Sequence, residues 1–215
     1  MIMDFTLFSQ EVSKIKNLPL PGVEAHYKMV PDFRRELLDQ NRNYKKVAKR
    51  AGVMALFYPN GKNETTFLLI LRKTYEGVHS NQIAFPGGKE EEGDHDLLAT
   101  ALRETEEEVG TPKENVRVLK RLTEVYIPPS NFIVTPYVGL YTQEASFTIQ
   151  ENEVENIVEV SMRDLLDDEK IFTRKMATSY GTDVDVPAFK LNGYTVWGAT
   201  AMMLSEVKDL LKQVL

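Results

Sequence analysis

Between Phe85 and Gly110 the chain reads FPGGKEEEGDHDLLATALRETEEEVG, and this stretch limits what the rest can fold into. Pro86, Gly87 and Gly88 signal a turn, an acidic loop follows, and the run that follows the loop has helical character. On an α-helix, at about 100° per residue, Glu104, Glu107 and Glu108 stand at i, i+3 and i+4 and share one face. Leu98, Leu102, Thr105 and Val109 fall on a different, mostly apolar face that calls for a core beneath it. Arg103 precedes Glu107 by one helical turn and is placed to orient its carboxylate. A glutamate-rich helix face is ordinarily solvated surface. The double glycine beside this one favours a second reading: backbone without side chains can approach a ligand closely. Clustered carboxylates repel one another, and a hard divalent cation with oxygen ligands would relieve them.

The flanking segments supply elements for such a helix to pack on. Val47–Tyr58, extended from about Ala51, and Thr65–Arg72 read as strands joined by the turn signal Pro59-Asn60-Gly61, hence a hairpin. Ile83–Phe85 is a short strand entering the double glycine. The helix runs from about Asp96 to Val109, with Asp94 or Asp96 as its cap and Gly110 as its C-terminal stop. Asn115–Tyr126 and Ile133–Tyr141 follow as strands, and Pro136 suggests an edge or a bulge in the second. Ala145–Ile149 reads as short strand or loop. Ser161 caps a short helix through Asp168, and Asp183–Lys190 pairs with Gly193–Trp197. Ala199–Leu215 is a closing amphipathic helix with Met202, Met203, Val207, Leu210 and Leu211 on its apolar side, and Trp197 before it is a packing anchor. Ahead of all this, residues 1–45 form a helical extension: Phe5, Phe8, Val12 and Ile15 recur at helical spacing, and Pro31 opens a second helix through Leu38. Arg34 and Arg35 on it read either as a solvated basic face or as a phosphate contact. The order of elements implies an α/β (α+β) fold with helices on both faces of a mixed sheet.

Composition excludes several chemistries. There is no cysteine, which removes disulfides, thiolate metal sites and cysteine nucleophiles. No apolar run reaches the roughly 18 residues of a membrane span, and the first residues lack the apolar core of a signal peptide. We therefore expect a cytoplasmic protein with no membrane partner. A net charge of −6 argues against a nucleic-acid partner.

The Phe85–Gly110 stretch resembles a Nudix box, of general form G-x5-E-x7-R-E-U-x-E-E-x-G-U with U apolar. Gly88, Arg103, Glu104, Glu107, Glu108 and Gly110 occupy their places in it. The loop acid is Asp94 rather than Glu, eight residues rather than seven separate it from Arg103, and Thr105 and Thr111 stand where apolar residues are usual. This variant is similar to the branch of the family that hydrolyses coenzyme A, as is the preceding LLILRKTYEGVHSNQIAFPGG. In that run Leu68, Leu69, Arg72, His79, Gln82 and Ile83 to Gly88 match the branch, Asn81 replaces a glycine, and an arginine is missing near Gly77.

The resemblance implies a Nudix-like α/β/α sandwich over residues 46–215 and a hydrolase that cleaves a diphosphate with Mg²⁺ or Mn²⁺. It implies Glu104, Glu107 and Glu108 as metal ligands, with the Gly88 carbonyl completing the set. Glu104 is the favoured general base; Glu107, or an added acid from Glu151–Glu159 such as Glu153 or Glu155, is the alternative. Arg103 orients Glu107, while Gly87 and Asp94 shape the loop and helix start. Arg72, Lys73, His79 and Gln82 are the candidate substrate contacts. The expected substrate is coenzyme A or an acyl derivative. ADP-ribose, NADH or a dinucleotide is a second reading, and a non-catalytic nucleotide-binding regulator a third. The N-terminal extension is also a candidate dimer contact.

Overall fold

The computed structural model describes residues 3–35, 48–73, 82–178 and 181–215. A mixed sheet organises the chain. Its strands are β1 (Lys49–Pro59), β2 (Thr65–Arg72), β3 (Ile83–Ala84), β4 (Gly87–Lys89), β5 (Val116–Arg121), β6 (Val125–Ile127), β7 (Phe132–Tyr141) and β8 (Val154–Ser161). The main path runs β3-β2-β1-β7-β5, with β4 on β1, β6 on β7 and β8 on β2. β1 and β7 pair in parallel, from Lys49↔Phe132 to Phe57↔Leu140, and the other pairings are antiparallel. A second sheet is built from β9 (Ile171–Thr178), β10 (Gly181–Leu191) and β11 (Tyr194–Trp197), in the order β11-β10-β9.

Alternation along the central strands sorts the apolar side chains into two layers. Val53, Ala55 and Phe57 of β1, with Phe67 and Leu69 of β2, face a core completed by the N-terminal residues Phe5, Phe8, Val12 and Ile15. The closing helix α5 (Gly198–Leu211) adds Met202, Met203, Leu204 and Val207 to this same core. Met54, Leu56, Tyr58, Leu68 and Ile70 point the other way, against Leu97, Ala101 and Val109 of α3 (Leu97–Val109). The result is the expected α/β/α sandwich. The N-terminal helix α1 (Phe5–Glu11) continues as a 3-10 turn over Val12–Asn17, and Phe8 stacks at 5.0 Å from Phe57. Each fully buried aromatic or aliphatic side chain of this layer contributes about 1.5–3 kcal/mol. No helix among the described residues is long and apolar enough to cross a membrane.

The structure revises several boundaries. Asn115–Tyr126 is two strands, β5 and β6, not one. Pro136 lies in the middle of β7, a central strand with neighbours on both sides; of the edge and the bulge it suggested, the structure has the bulge, a register shift between Val118 and Lys120 of β5 where they pair with Gly139 and Val138. The Pro136 carbonyl accepts from Leu122 N–H at 2.8 Å, so its missing donor faces the gap where β5 has ended and β6 has not begun. A short helix α2 (Val23–Tyr27) was not expected, since five residues are too few for a periodic pattern. The helix expected from Pro31 is present over 32–35, and its continuation to Leu38 lies outside the described residues. Ala145–Ile149 is loop, and α4 (Met162–Leu166) carries Ser161 as its cap, accepting from Asp164 N–H at 3.1 Å.

Candidate active site

Two close approaches seat α3 on the sheet, one at β1 and one at β4. Gly52 of β1 lies under the start of α3, where a Cβ would fall 2.1 Å from the Leu97 carbonyl. Gly88 of β4 faces Glu104, where a Cβ would fall 2.3–2.5 Å from the carboxylate. Helix and strand therefore touch where side chains are absent. α3 begins at Asp96, whose carboxylate accepts from Ala99 N–H at 2.8 Å, and stops at Gly110 with φ +73° in the left-handed region. Of the two capping candidates it is Asp96 that caps, because Asp94 is engaged elsewhere.

Asp94 closes on Arg103. The guanidinium donates from Nε at 3.0 Å and from an Nη at 2.9 Å to its two oxygens. Thr100 Oγ1, at 2.9 Å, and Glu91 N–H, at 3.0 Å, also donate to Asp94. The bonds from Arg103 hold the Asp94 carboxyl well below the usual carboxylate range, and the same pairing raises the proton affinity of Arg103. Arg103 also donates to Glu104 at 3.1 Å, to Glu107 at 3.0 Å and to the Lys89 carbonyl at 3.3 Å. It thus joins the loop, the strand β4 and two of the box carboxylates.

The three glutamates sit in three environments. Glu107 is half exposed. Glu104 is largely covered, and burial pushes its proton affinity up against the pull of Arg103. Glu108 is 1% exposed, so it belongs to the buried side of α3 with Leu97, Ala101 and Thr105, not to an open acidic face. Leu98 and Leu102, placed on the apolar face by the sequence pattern, are only partly buried. Glu108 accepts from Gly87 N–H at 2.7 Å and from Arg72 at 3.4 Å. Burial dominates and raises its pKa to about 8.

Glu153 adds its charge to this group, since its field raises both Glu104 and Glu108. Glu155 turns away to pair with Lys73 at 3.5 Å on the surface. Hard carboxylate oxygens gathered against mutual repulsion suit a divalent cation in donor chemistry. In this arrangement they turn to Arg103, Arg72 and Gly87, and no three acidic or histidine side chains among the described residues surround one point.

A cavity of about 560 Å³ opens along the same edge, lined by Gly87, Gly88 and Lys89. Arg72 and Gln82 line it, as does Arg34 from the N-terminal segment. Lys73 is not among its lining residues, and His79 lies outside the described residues. Trp197 also lines the cavity and is only partly buried, so it is a wall of this space rather than a core anchor. Lys89, and the β10 residues Val184 and Val186, escaped the sequence reading. Alternation of Val184 and Val186 along a strand was the one signal available, and it cannot say which cavity a strand face meets.

The NUDIX domain family matches residues 48–180 of the chain. An uncharacterized Nudix hydrolase named NudL from Yersinia enterocolitica is 35% identical over 148 residues, spanning 66% of this chain and 71% of that protein. The NudL of Pectobacterium atrosepticum is 36% identical over 149 residues, spanning 66% and 73%. Among solved structures, RenU, a Nudix hydrolase of M. smegmatis, superposes with a TM-score of 0.54 at 13% identity, covering 78% of this chain and 88% of its own. A MutT/nudix family protein of Enterococcus faecalis superposes at 0.51 and 16% identity, covering 92% and 76%.

Proposed function

The chain belongs to the NUDIX domain family and is a Nudix hydrolase, and from that premise we propose that it hydrolyses coenzyme A or an acyl derivative to 3′,5′-ADP and the corresponding 4′-phosphopantetheine. One observation carries the substrate assignment. Asp94, the shorter acid one residue further from Arg103, still closes on it through two bonds of 3.0 and 2.9 Å. The variant spacing that resembles the coenzyme A branch therefore builds an ordered loop. Arg72, at the end of β2, and Gln82 line the cavity at that loop's base, as the branch resemblance requires of substrate contacts.

In the reaction a water oxygen attacks one phosphorus of the diphosphate, and the bond from that phosphorus to the bridging oxygen breaks. The departing phosphate takes the bridging oxygen, and the water's proton passes to a carboxylate. Glu104 is the assigned base: it stands against Gly88, and Arg103 fixes its orientation at 3.1 Å. Glu107 and Glu108 with Glu104 would hold Mg²⁺ or Mn²⁺, assisted by the Gly88 carbonyl. Held there, such an ion would supply neutralisation of diphosphate oxygens and a more acidic attacking water. Arg72 compensates Glu108 and offers its remaining donors to phosphate.

Incubation with coenzyme A and, in parallel, ADP-ribose, each with Mg²⁺ or Mn²⁺, tests the assignment. Mass spectrometry is expected to find 3′,5′-ADP and 4′-phosphopantetheine in the first reaction. Coenzyme A turning over no faster than ADP-ribose sinks it.

A further inference from the structure

Segments on both sides of the matched NUDIX residues, 48–180, complete the cavity. Met29, Phe33 and Arg34 line it from the N-terminal segment, and Trp197 and Met203 from the other end of the chain. Of two adjacent arginines only Arg34 is a lining residue, and it is half-buried. Arg35 turns back instead, donating to the Tyr27 carbonyl at 3.0 Å and pairing with Asp32 at 3.3 Å.

The segment that carries Arg34 is seated by a buried anchor away from the box. Glu206 of α5 meets His26 of α2 at 3.2 Å and accepts from Gly22 N–H at 3.1 Å. Thr123 also donates to it, from its N–H at 3.1 Å and its hydroxyl at 2.7 Å. Glu206 is 0% and His26 2% exposed, so the pair has one geometry. Two turns lead from this anchor to the cavity. Met29 N–H donates to the His26 carbonyl at 3.0 Å, and Arg34 N–H to the Pro31 carbonyl at 2.9 Å. At the cavity a guanidinium can hold a phosphate through two parallel N–H···O bonds. Apolar lining such as Val53 and Val134 excludes water and strengthens that attraction. A diphosphate at Gly88 and Arg72 leaves nothing anionic for Arg34 unless the substrate carries a second phosphate.

We propose that Arg34 is a specificity-determining residue that binds a phosphomonoester carried by the substrate apart from its diphosphate, and that Glu206 and His26 are positioning residues that seat it. This assignment rests on the coenzyme A reading above, in which the substrate bears such a group at the 3′ position, and adds the residues that read it. They lie outside the matched family segment, so the box supplies the chemistry and the two ends of the chain supply the choice of substrate.

Turnover of coenzyme A is compared with that of 3′-dephospho-coenzyme A, using the full chain. The unmodified enzyme is expected to favour coenzyme A by roughly tenfold to a hundredfold in kcat/KM, the range of a charge-assisted hydrogen bond. Arg34→Gln brings this ratio close to one, chiefly through KM, because a contact away from the reacting phosphorus serves ground and transition states alike. Arg34→Lys keeps the charge without the fork and recovers part of the ratio. His26→Ala lowers the ratio in the unmodified background and lowers it no further beside Arg34→Gln, whereas His26→Gln, which keeps a donor for Glu206, retains it. Calorimetry with chelator present gives a readout independent of turnover. There 3′,5′-ADP binds at least about tenfold more tightly than 5′-AMP, and Arg34→Gln abolishes the difference. A ratio near one in the unmodified enzyme, or a ratio and a binding difference that survive Arg34→Gln, overturns the role of Arg34 and leaves the coenzyme A reading standing. A ratio intact in His26→Ala, or lost in His26→Gln at an unchanged melting temperature, overturns the role of the anchor. Turnover of ADP-ribose with neither form of coenzyme A overturns both readings.

Discussion

Asp94→Asn removes one charge from the loop and leaves its shape. The native carboxylate accepts two bonds from Arg103, at 3.0 and 2.9 Å, and one each from Thr100 and Glu91. An amide keeps one oxygen and turns an NH₂ group toward donors. A hydrogen bond to a charged group is worth about 1.5–3 kcal/mol net. Arg103 is 22% exposed and keeps Glu104, Glu107 and the Lys89 carbonyl, so its loss stays below the about 3–5 kcal/mol of a fully buried broken pair. The expected cost is about 2 kcal/mol, which lowers Tm by roughly 4–8 °C in a chain of this size. Urea and thermal unfolding in the presence of chelator measure it without a metal contribution. The pH dependence supplies the sign. The folded Asp94 carboxyl is depressed, so its contribution is full above the unfolded value of about 3.9 and is lost as pH falls toward the folded one. The gap between wild type and variant should hold from pH 7 to about 5 and narrow below about 4. A variant as stable as wild type at neutral pH, or a gap unchanged in acid, refutes the clamp.

Further outcomes follow from the same geometry. Glu107→Gln should lose at least about a hundredfold in turnover, measured by product formation, while its melting temperature stays close to wild type because the side chain is half exposed; retained activity refutes the proposed role of Glu107 as a metal ligand. Gly88→Ala sets a methyl within 2.3–2.5 Å of the present Glu104 carboxylate, so Glu104 must move, and a kcat unchanged from wild type would sink its assignment as base. Glu206 of α5 is fully buried and binds His26 at 3.2 Å, Thr123 through its hydroxyl at 2.7 Å and Gly22 N–H at 3.1 Å. Burial pushes its pKa up, but the bonds from His26 and Thr123 together outweigh it and leave the group below its ordinary value. Glu206→Ala strands these partners and should cost about 3 kcal/mol in urea unfolding, against no measurable change if the cluster is decorative.

What the sequence disclosed is local. The cap at Asp96, the stop at Gly110, the Ser161 cap and the β1–β2 hairpin each rest on a few adjacent residues whose preferences agree with the fold. What stayed hidden depends on which surfaces meet. Pro136 argued for an edge or a bulge without choosing between them; β7 is central, its pairing with β5 is bulged, and the chain passes from β5 to β6 opposite the missing donor. Glu206 lies on a helix whose apolar pattern predicted only core, and its partners come from α2 and the β5–β6 turn, far away in sequence. Trp197 suggested packing by its size, whereas its position at a strand–helix junction turns it to the cavity. Gly52 carried no sequence signal at all, since its meaning is the distance to Leu97.

The same logic explains why the double glycine and the glutamates are one feature. Helical spacing places Glu104 and Glu108 one turn apart, along the line where α3 crosses β4. Gly87 offers its N–H to Glu108, and its φ of +142° is a conformation that side chains rarely adopt. Gly88, the next residue, leaves the space that the Glu104 carboxylate fills. A side chain at Gly87 would strike the Gly52 carbonyl and Val53 of β1, and one at Gly88 would displace the Glu104 carboxylate. The strand would then shift under the N–H that Glu108 accepts, and Glu104 would lose its place against Gly88. Three identical residues on one helix thereby stand in three different exposures: burial raises the proton affinity of Glu104 and Glu108, while Glu107 stays half exposed. A wheel projection of α3 treats Glu104, Glu107 and Glu108 as equivalent; the strand beneath them does not.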